Sequence, residues 1–339
     1  MSEHDDLDTK VREILSVKRA TDSYKDELSK LVEARLDQFG NLVFVRKGAP
    51  TDFGLLRPTD RVHVLDIYDS GRERKRKRFL EWKNDPKYKG PLILAEGDSW
   101  FEYPFAKDLL DNAGLEYAVL SLARAGDTWN DIIDEDSEPE KKYSDGTPMG
   151  LMHTLKLPDP RPFQYVMLSV GGNDLISQIR YCVYPFDPKR PEDDYIIHGG
   201  LGGFDFVLDQ VITHYQDTIK AILGMGMSVI LHNYDYPNPK ANGQYIGYPL
   251  EHFCKFPAGS EALMRRTVNH MINFFHDRLA KVAVAAGPKV HLIDLRKTIG
   301  TDDYLNGPDD NLWKDEMHGN NAGFKRLWAR MDTELKKIF

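Results

Sequence analysis

A chain of 339 residues with 41% hydrophobic and 29% charged side chains is ordinary for a globular protein, and is long enough for one large domain with a small appendage. Its net charge of −8 excludes an overall basic field for holding nucleic acid. Two cysteines, Cys182 and Cys254, are too few for a disulfide framework and lack zinc-site spacing, so they read as free thiols.

The acidic start, Met1 to Asp6, lacks the basic lead and apolar stretch of a secretory signal. No run approaches the ~18 apolar residues of a membrane span, so a cytoplasmic protein is expected. Leu7, Val11, Ile14 and Leu15 then recur at helical spacing. Tyr24, Leu28, Leu31, Val32 and Leu36 predict a second helix, with Thr21 or Ser23 as N-cap and Gly40 as the stop. Short strands are expected at Leu42–Val45 and Val62–Ile67, with a loop between them carrying Gly48, Pro50, Gly54 and Pro58. Arg72–Arg78 is a dense basic run ahead of Phe79, Leu80 and Trp82. It reads as a solvated helix face, or else as a contact for phosphates, an acidic partner or a membrane surface, without reading nucleic-acid sequence. Residues 1–88 are thus expected to form a small α+β extension, and 89–339 the main domain.

From Pro91 onward, short apolar runs alternate with helical patterns. The expected strands are Leu92–Ala95, Tyr117–Leu122, Tyr165–Val170, Ser228–Asn233 and Val290–Leu295. Helices are expected over Phe206–Leu223, from a Ser260 cap to Gly287-Pro288, and over Ala322–Lys337. This rhythm argues an α/β fold with a parallel sheet and helices on both faces. Function in such sheets gathers at the carboxyl ends of the strands.

Four segments fall at or near those ends: Gly97-Asp98-Ser99, Ala125-Gly126-Asp127, Gly171-Gly172-Asn173-Asp174 and Asp315-Glu316-Met317-His318. Alone, each has an ordinary reading: an N-capping serine, a turn glycine, an Asx turn, a structural histidine. Together they offer a nucleophile in Ser99 and oxyanion donors at Gly126 and Asn173. They also offer a base in His318 whose ring Asp315 can orient three residues away. That chemistry needs no metal and no cofactor. The pattern is not Gly-x-Ser-x-Gly, so the α/β-hydrolase elbow does not fit. There is no dinucleotide or phosphate-loop glycine motif either.

The ordered set resembles the conserved blocks of the SGNH hydrolases, the GDSL-type lipases and esterases, over roughly residues 91–339. The resemblance implies a three-layer α/β/α sandwich with a five-stranded parallel, flavodoxin-like sheet. It implies Ser99 as nucleophile, His318 as general base and acid, and Asp315 as its partner. The oxyanion hole would be the N–H groups of Ser99 and Gly126 with the Asn173 side chain. Trp100 stands where leucine is usual, and Gly319 follows the histidine where many members have proline.

The expected activity is hydrolysis of a carboxyl ester with an apolar acyl part. Trp100, Trp129 and Asp98 are candidate substrate contacts, and the long segments 181–204 and 236–259 are candidate lids or specificity walls. A carbohydrate O-acetylesterase is the alternative on the same site. A non-catalytic binding module on the same fold is the alternative of a different class.

Overall fold

The computed structural model describes the chain except residues 1–2, 19–22, 38–40, 51–59, 65–66, 69, 114–115, 138–141, 143–147 and 149. Thr21, Gly40, Gly54 and Pro58, named above as caps or loop residues, lie outside the described residues. The first two elements are helices, Glu3–Lys18 and Ser23–Leu31. The second helix stops short of the expectation. Val32–Leu36 leaves it as strand β1, pairing antiparallel with β2 (Leu42–Arg46) in the register Ala34↔Phe44. Apolar residues at 28, 31, 32 and 36 suit a helix face, but the chain instead gains a backbone ladder with 42–46. The expected strand Val62–Ile67 is not a strand in its described part. Arg61 forms an isolated bridge to Val45, and Val62 N–H donates to the Phe44 carbonyl at 2.8 Å.

The main sheet has five parallel strands: β3 (Leu92–Gly97), β4 (Ala118–Ser121), β5 (Tyr165–Ser169), β6 (Ser228–His232) and β7 (Val290–Ile293). Their spatial order is β4-β3-β5-β6-β7, the flavodoxin-like order, with Leu94 flanked by Leu120 and Val166. Leu92–Ala95 and Val166–Leu168 are buried, as a parallel sheet covered by helices requires. Phe204–Gly224 and Glu261–Ala286 pack on each other beside β6 and β7, while Asn321–Ile338 packs on β7. Ser260 precedes the long helix without a capping bond, since its hydroxyl donates to the Pro257 carbonyl at 2.6 Å. Gly287 ends that helix at φ 95°. No helix among the described residues is long and apolar enough to cross a membrane.

The basic run is the helix Arg72–Asn84, which packs on β4, and its inner face is not solvated. Lys75 is buried and reaches Glu102 at 2.7 Å, Asp108 at 2.8 Å and the Phe101 carbonyl at 2.5 Å. Lys25, from the helix Ser23–Leu31, joins the same cluster through Asp108 at 2.9 Å, Asp111 at 2.6 Å and the Ala106 carbonyl at 2.9 Å. Arg74 meets Asp111 at 2.6 Å and Arg78 the Leu110 carbonyl at 2.5 Å. Burial alone would push the Lys25 ammonium toward neutrality, but Asp108 and Asp111 hold its pKa well above the usual lysine value. This cluster joins the N-terminal elements to the segment that follows Ser99.

Removing one partner of a buried ion cluster strands the rest, at a cost of about 3–5 kcal/mol. Lys25→Ala should therefore lower the midpoint of urea unfolding by that much stability, at unchanged slope.

Candidate active site

Ser99 is aimed by the strand that ends before it. β3 lies where the strand order reverses, between β4 and β5, so its carboxyl end opens on the crevice between two diverging connections. Gly97 closes β3 at φ 156°, and a side chain there would collide with the Ser169 carbonyl on the neighbouring strand. The chain then turns, with Phe101 and Glu102 N–H both donating to the Asp98 carbonyl at 3.0 Å. No regular helix follows until the short Leu109–Asn112. The Ser99 hydroxyl oxygen lies 2.7 Å from His318 Nε2, and both residues are buried.

His318 sits on a narrow loop. Trp313 bridges Gly319, and Lys314 N–H donates to the His318 carbonyl at 2.8 Å, so the segment closes on itself. A side chain at 319 would press on the Phe324 backbone, 2.9 Å away, which gives glycine there a reason. Asp315 faces the ring, with both oxygens 2.9 Å from His318 Nδ1. It also accepts Met317 N–H and His318 N–H, each at 2.8 Å. Burial alone would raise the Asp315 carboxyl, but the His318 charge, these hydrogen bonds and one from the Tyr103 hydroxyl hold it below the ordinary aspartate value.

Candidate donors for an oxyanion lie in the turns after β4 and β5. Gly126 stands at φ 91° in the turn after β4, a conformation glycine adopts without cost. Among the described residues, neither the Ser99 nor the Gly126 backbone N–H is given to a protein acceptor. Asn173 follows the positive-φ Gly171 after β5, and its side-chain amide donates one hydrogen to the Asp127 carbonyl at 3.0 Å. That bond ties the β5 turn to the β4 turn and fixes the amide. Gly126 and Asn173 line one groove of about 720 Å³, together with Arg124, Asp131, Gln178, Gln210 and His214. Leu42 of β2 packs over Gly126, where a side chain would come within 2.8 Å of it.

The three expected substrate contacts are placed differently. Asp98 is buried and fully bonded, accepting from Trp100 N–H at 3.0 Å, the Ser169 hydroxyl at 3.1 Å and the Tyr234 hydroxyl at 2.5 Å. Burial raises its pKa to about 6, against those bonds. It braces the turn that carries Ser99, with both of its oxygens already accepting from protein donors. Trp129 is buried edge-on against Tyr215, 4.8 Å away, and its backbone N–H donates to Asp174 at 3.2 Å. Trp100 packs among His232, Tyr234 and Phe324, and borders an apolar cleft of about 60 Å³ with Gly172, Tyr234, Ile246 and Met317.

Several residues around the site carry no local sequence signal. Glu316 is buried between Asp315 and His318 and accepts four backbone N–H groups, from Lys240 at 3.0 Å, Tyr245 at 2.7 Å, Ile246 at 2.9 Å and Gly247 at 2.8 Å. It holds the segment 236–259 against the histidine loop. That segment also meets 181–204, through Phe186 N–H on the Cys254 carbonyl at 2.7 Å and Tyr195 against Phe256. The two long segments are thus tied to each other. No group of three or more side chains that could hold a metal ion is gathered among the described residues.

Glu316→Ala would leave four amide hydrogens without their acceptor. A loss of roughly 3 kcal/mol or more is expected, given ~1–3 kcal/mol for each orphaned buried group. Amide hydrogen exchange should accelerate first at residues 240–247.

No family model and no curated protein matches the sequence. Among solved structures, the chain is similar to a GDSL-like lipase from Bacteroides thetaiotaomicron, at 12% identity and a TM-score of 0.42, covering 78% of this chain and 98% of that one. It is similar to a catalytic mutant of an acetylxylan esterase from Geobacillus stearothermophilus, at 14% identity and a TM-score of 0.44, over 73% and 94% of the two chains. It is also similar to a further acetyl xylan esterase, at 17% identity and a TM-score of 0.40, over 72% and 100%. These are likenesses of the α/β fold.

Proposed function

We propose that this chain is an SGNH-type serine esterase that cleaves a carboxyl ester through an acyl-enzyme on Ser99. One observation carries the reading: the contacts run unbroken from the Ser99 hydroxyl to His318 Nε2 at 2.7 Å, and from His318 Nδ1 to Asp315 at 2.9 Å. With the Nδ1 proton donated to Asp315, Nε2 keeps its lone pair toward the serine. The hydroxyl proton passes to Nε2 as Oγ bonds to the ester carbon, and the carbonyl electron pair moves onto its oxygen. The Ser99 and Gly126 N–H groups and the Asn173 amide are the donors for that oxyanion. Collapse breaks the carbon–oxygen bond, and the departing alcohol takes the proton from Nε2. Water then attacks the acyl-enzyme, giving a proton to the same nitrogen, and the acid leaves as Ser99 is restored.

Two spaces support a view of the substrate. The apolar cleft of about 60 Å³ beside Trp100 suits a short acyl chain. The groove of about 720 Å³ that includes Gly126 and Asn173 mixes amides, carboxylates, Arg124 and His214 with apolar side chains such as Phe206 and Val211, and suits an alcohol with both polar and apolar faces. That groove favours a second reading on the same site, removal of acetyl groups from a carbohydrate.

Ser99→Ala should abolish both labelling by a fluorophosphonate probe and hydrolysis of p-nitrophenyl acetate, and full activity in that variant would end the scheme. Asn173→Ala should lower kcat by about 10²–10³, the usual cost of one oxyanion donor, with KM little changed.

A further inference from the structure

We infer that Tyr103 is the positioning residue of the catalytic base, holding Asp315 with its hydroxyl while its ring backs the imidazole of His318. The inference rests on the proposed role of His318 as base. Tyr103 lies on the turn that follows the nucleophile, and its hydroxyl donates to Asp315 Oδ2 at 2.6 Å. Its ring is stacked on the imidazole with centroids 4.2 Å apart and planes 15° from parallel. Asp315 Oδ1 is occupied by Met317 and His318 N–H, so the Tyr103 hydroxyl supplies the donor on the opposite oxygen. The carboxylate is therefore bonded on both sides and cannot rotate away from the ring.

The second contact acts on charge. His318 becomes positive whenever it takes the serine proton, and a cation is attracted to the face of an aromatic ring. Tyr103 presents that face. The ring is itself fixed, with Phe105 edge-on at 5.6 Å and Tyr103 N–H donating to Asp108 Oδ2 at 3.2 Å. Asp108 is the carboxylate that Lys25 and Lys75 share. The base is thus referenced to the buried charge cluster beside the nucleophile turn.

The two contacts have opposite effects on the proton affinity of His318. The hydroxyl draws charge from Asp315 and weakens its hold on imidazolium, whereas the ring face stabilises imidazolium. The other groups facing His318 are the Ser99 hydroxyl, the Tyr245 ring edge at 5.7 Å and the Asp98 charge, with Lys314 acting on Asp315.

The test compares full-length wild type, Tyr103→Phe and Tyr103→Leu on p-nitrophenyl acetate across pH, with circular dichroism to establish folding. Tyr103→Phe should lower kcat about ten-fold, in line with loss of a hydrogen bond to a charged group, and leave KM within about two-fold. Its acid limb should move to higher pH, because the undiluted Asp315 charge keeps His318 protonated longer. Tyr103→Leu should lower kcat further and bring that limb back to lower pH. Proton NMR gives a readout independent of any ester: the low-field His318 Nδ1 resonance, identified by its loss in His318→Ala, should shift in Tyr103→Phe. Loss of rate with an unmoved acid limb and an unmoved resonance would reduce Tyr103 to packing and overturn the inference. Were wild type to show no Ser99-dependent hydrolysis, the esterase reading would fall, while the resonance would still decide for or against Tyr103.

Discussion

The contact between Ser99 and His318 joins residues 219 positions apart, and every other feature of the site is arranged so that this contact is made. Neither residue could find the other by local preference. The parallel sheet supplies the serine, because its strand order puts the end of β3 at the point where connections diverge. The histidine loop is supplied from beyond β7, closed by the Trp313–Gly319 bridge and anchored through Glu316. Rigidity on both sides matters to the proposed proton transfer, since a misplacement of about 1 Å can cost ~10²-fold in rate.

Around that contact the N-terminal elements behave as part of the site's wall. Leu42 of the β1–β2 hairpin sits on Gly126, and Lys25 reaches the carboxylates just past the nucleophile turn. Phe44 of the same hairpin packs edge-on against Phe105, 5.6 Å away, beside the ring that backs His318. Two lysines buried on one carboxylate oxygen would be costly if either were mobile. Their ammonium groups are satisfied by carbonyls of Phe101 and Ala106, which are themselves in the segment after Ser99.

The sheet was legible in the sequence because buried parallel strands are short apolar runs, and each of the five appears within a residue or two of its expected span. The four segments at the rim were legible because serine, glycine, asparagine and histidine occur in that order, the first three just past strand ends, although each alone is ordinary. What a linear pattern could not show was the partner of each polar group. Tyr103 reads as one more aromatic near the nucleophile, and only the fold brings it to Asp315. Asp98 precedes Ser99 and Trp129 opens a helix three residues after Gly126, yet both turn inward to buried partners, Tyr234 and Tyr215, that lie far away in sequence. Val32–Leu36 misled because apolar positions four apart fit a helix, and the competing ladder lies ten residues further on. The run Arg72–Arg78 shows its charge plainly, whereas the carboxylates that absorb much of it are 27 or more residues away.

Asp315 and Glu316 make the general point most sharply, being adjacent and both acidic, the first half-buried and the second buried. Asp315 turns toward an imidazole and a phenol, and the charge of His318 draws its pKa down against burial. Glu316 turns the other way into four backbone amides, where burial outweighs those bonds and raises its pKa to about 7. The amides come from the 240–247 segment, in which Gly243 and Gly247 have no side chain to obstruct the carboxylate. In the proposed scheme one residue thus sets the electrostatics of the base, while its neighbour fixes the loop that presents it. A carboxylate that both anchored the loop and oriented the ring would couple every loop fluctuation to the histidine. Dividing the two tasks between consecutive side chains lets the loop be held from one face and the imidazole from the other, which is what a short Ser99–His318 contact demands.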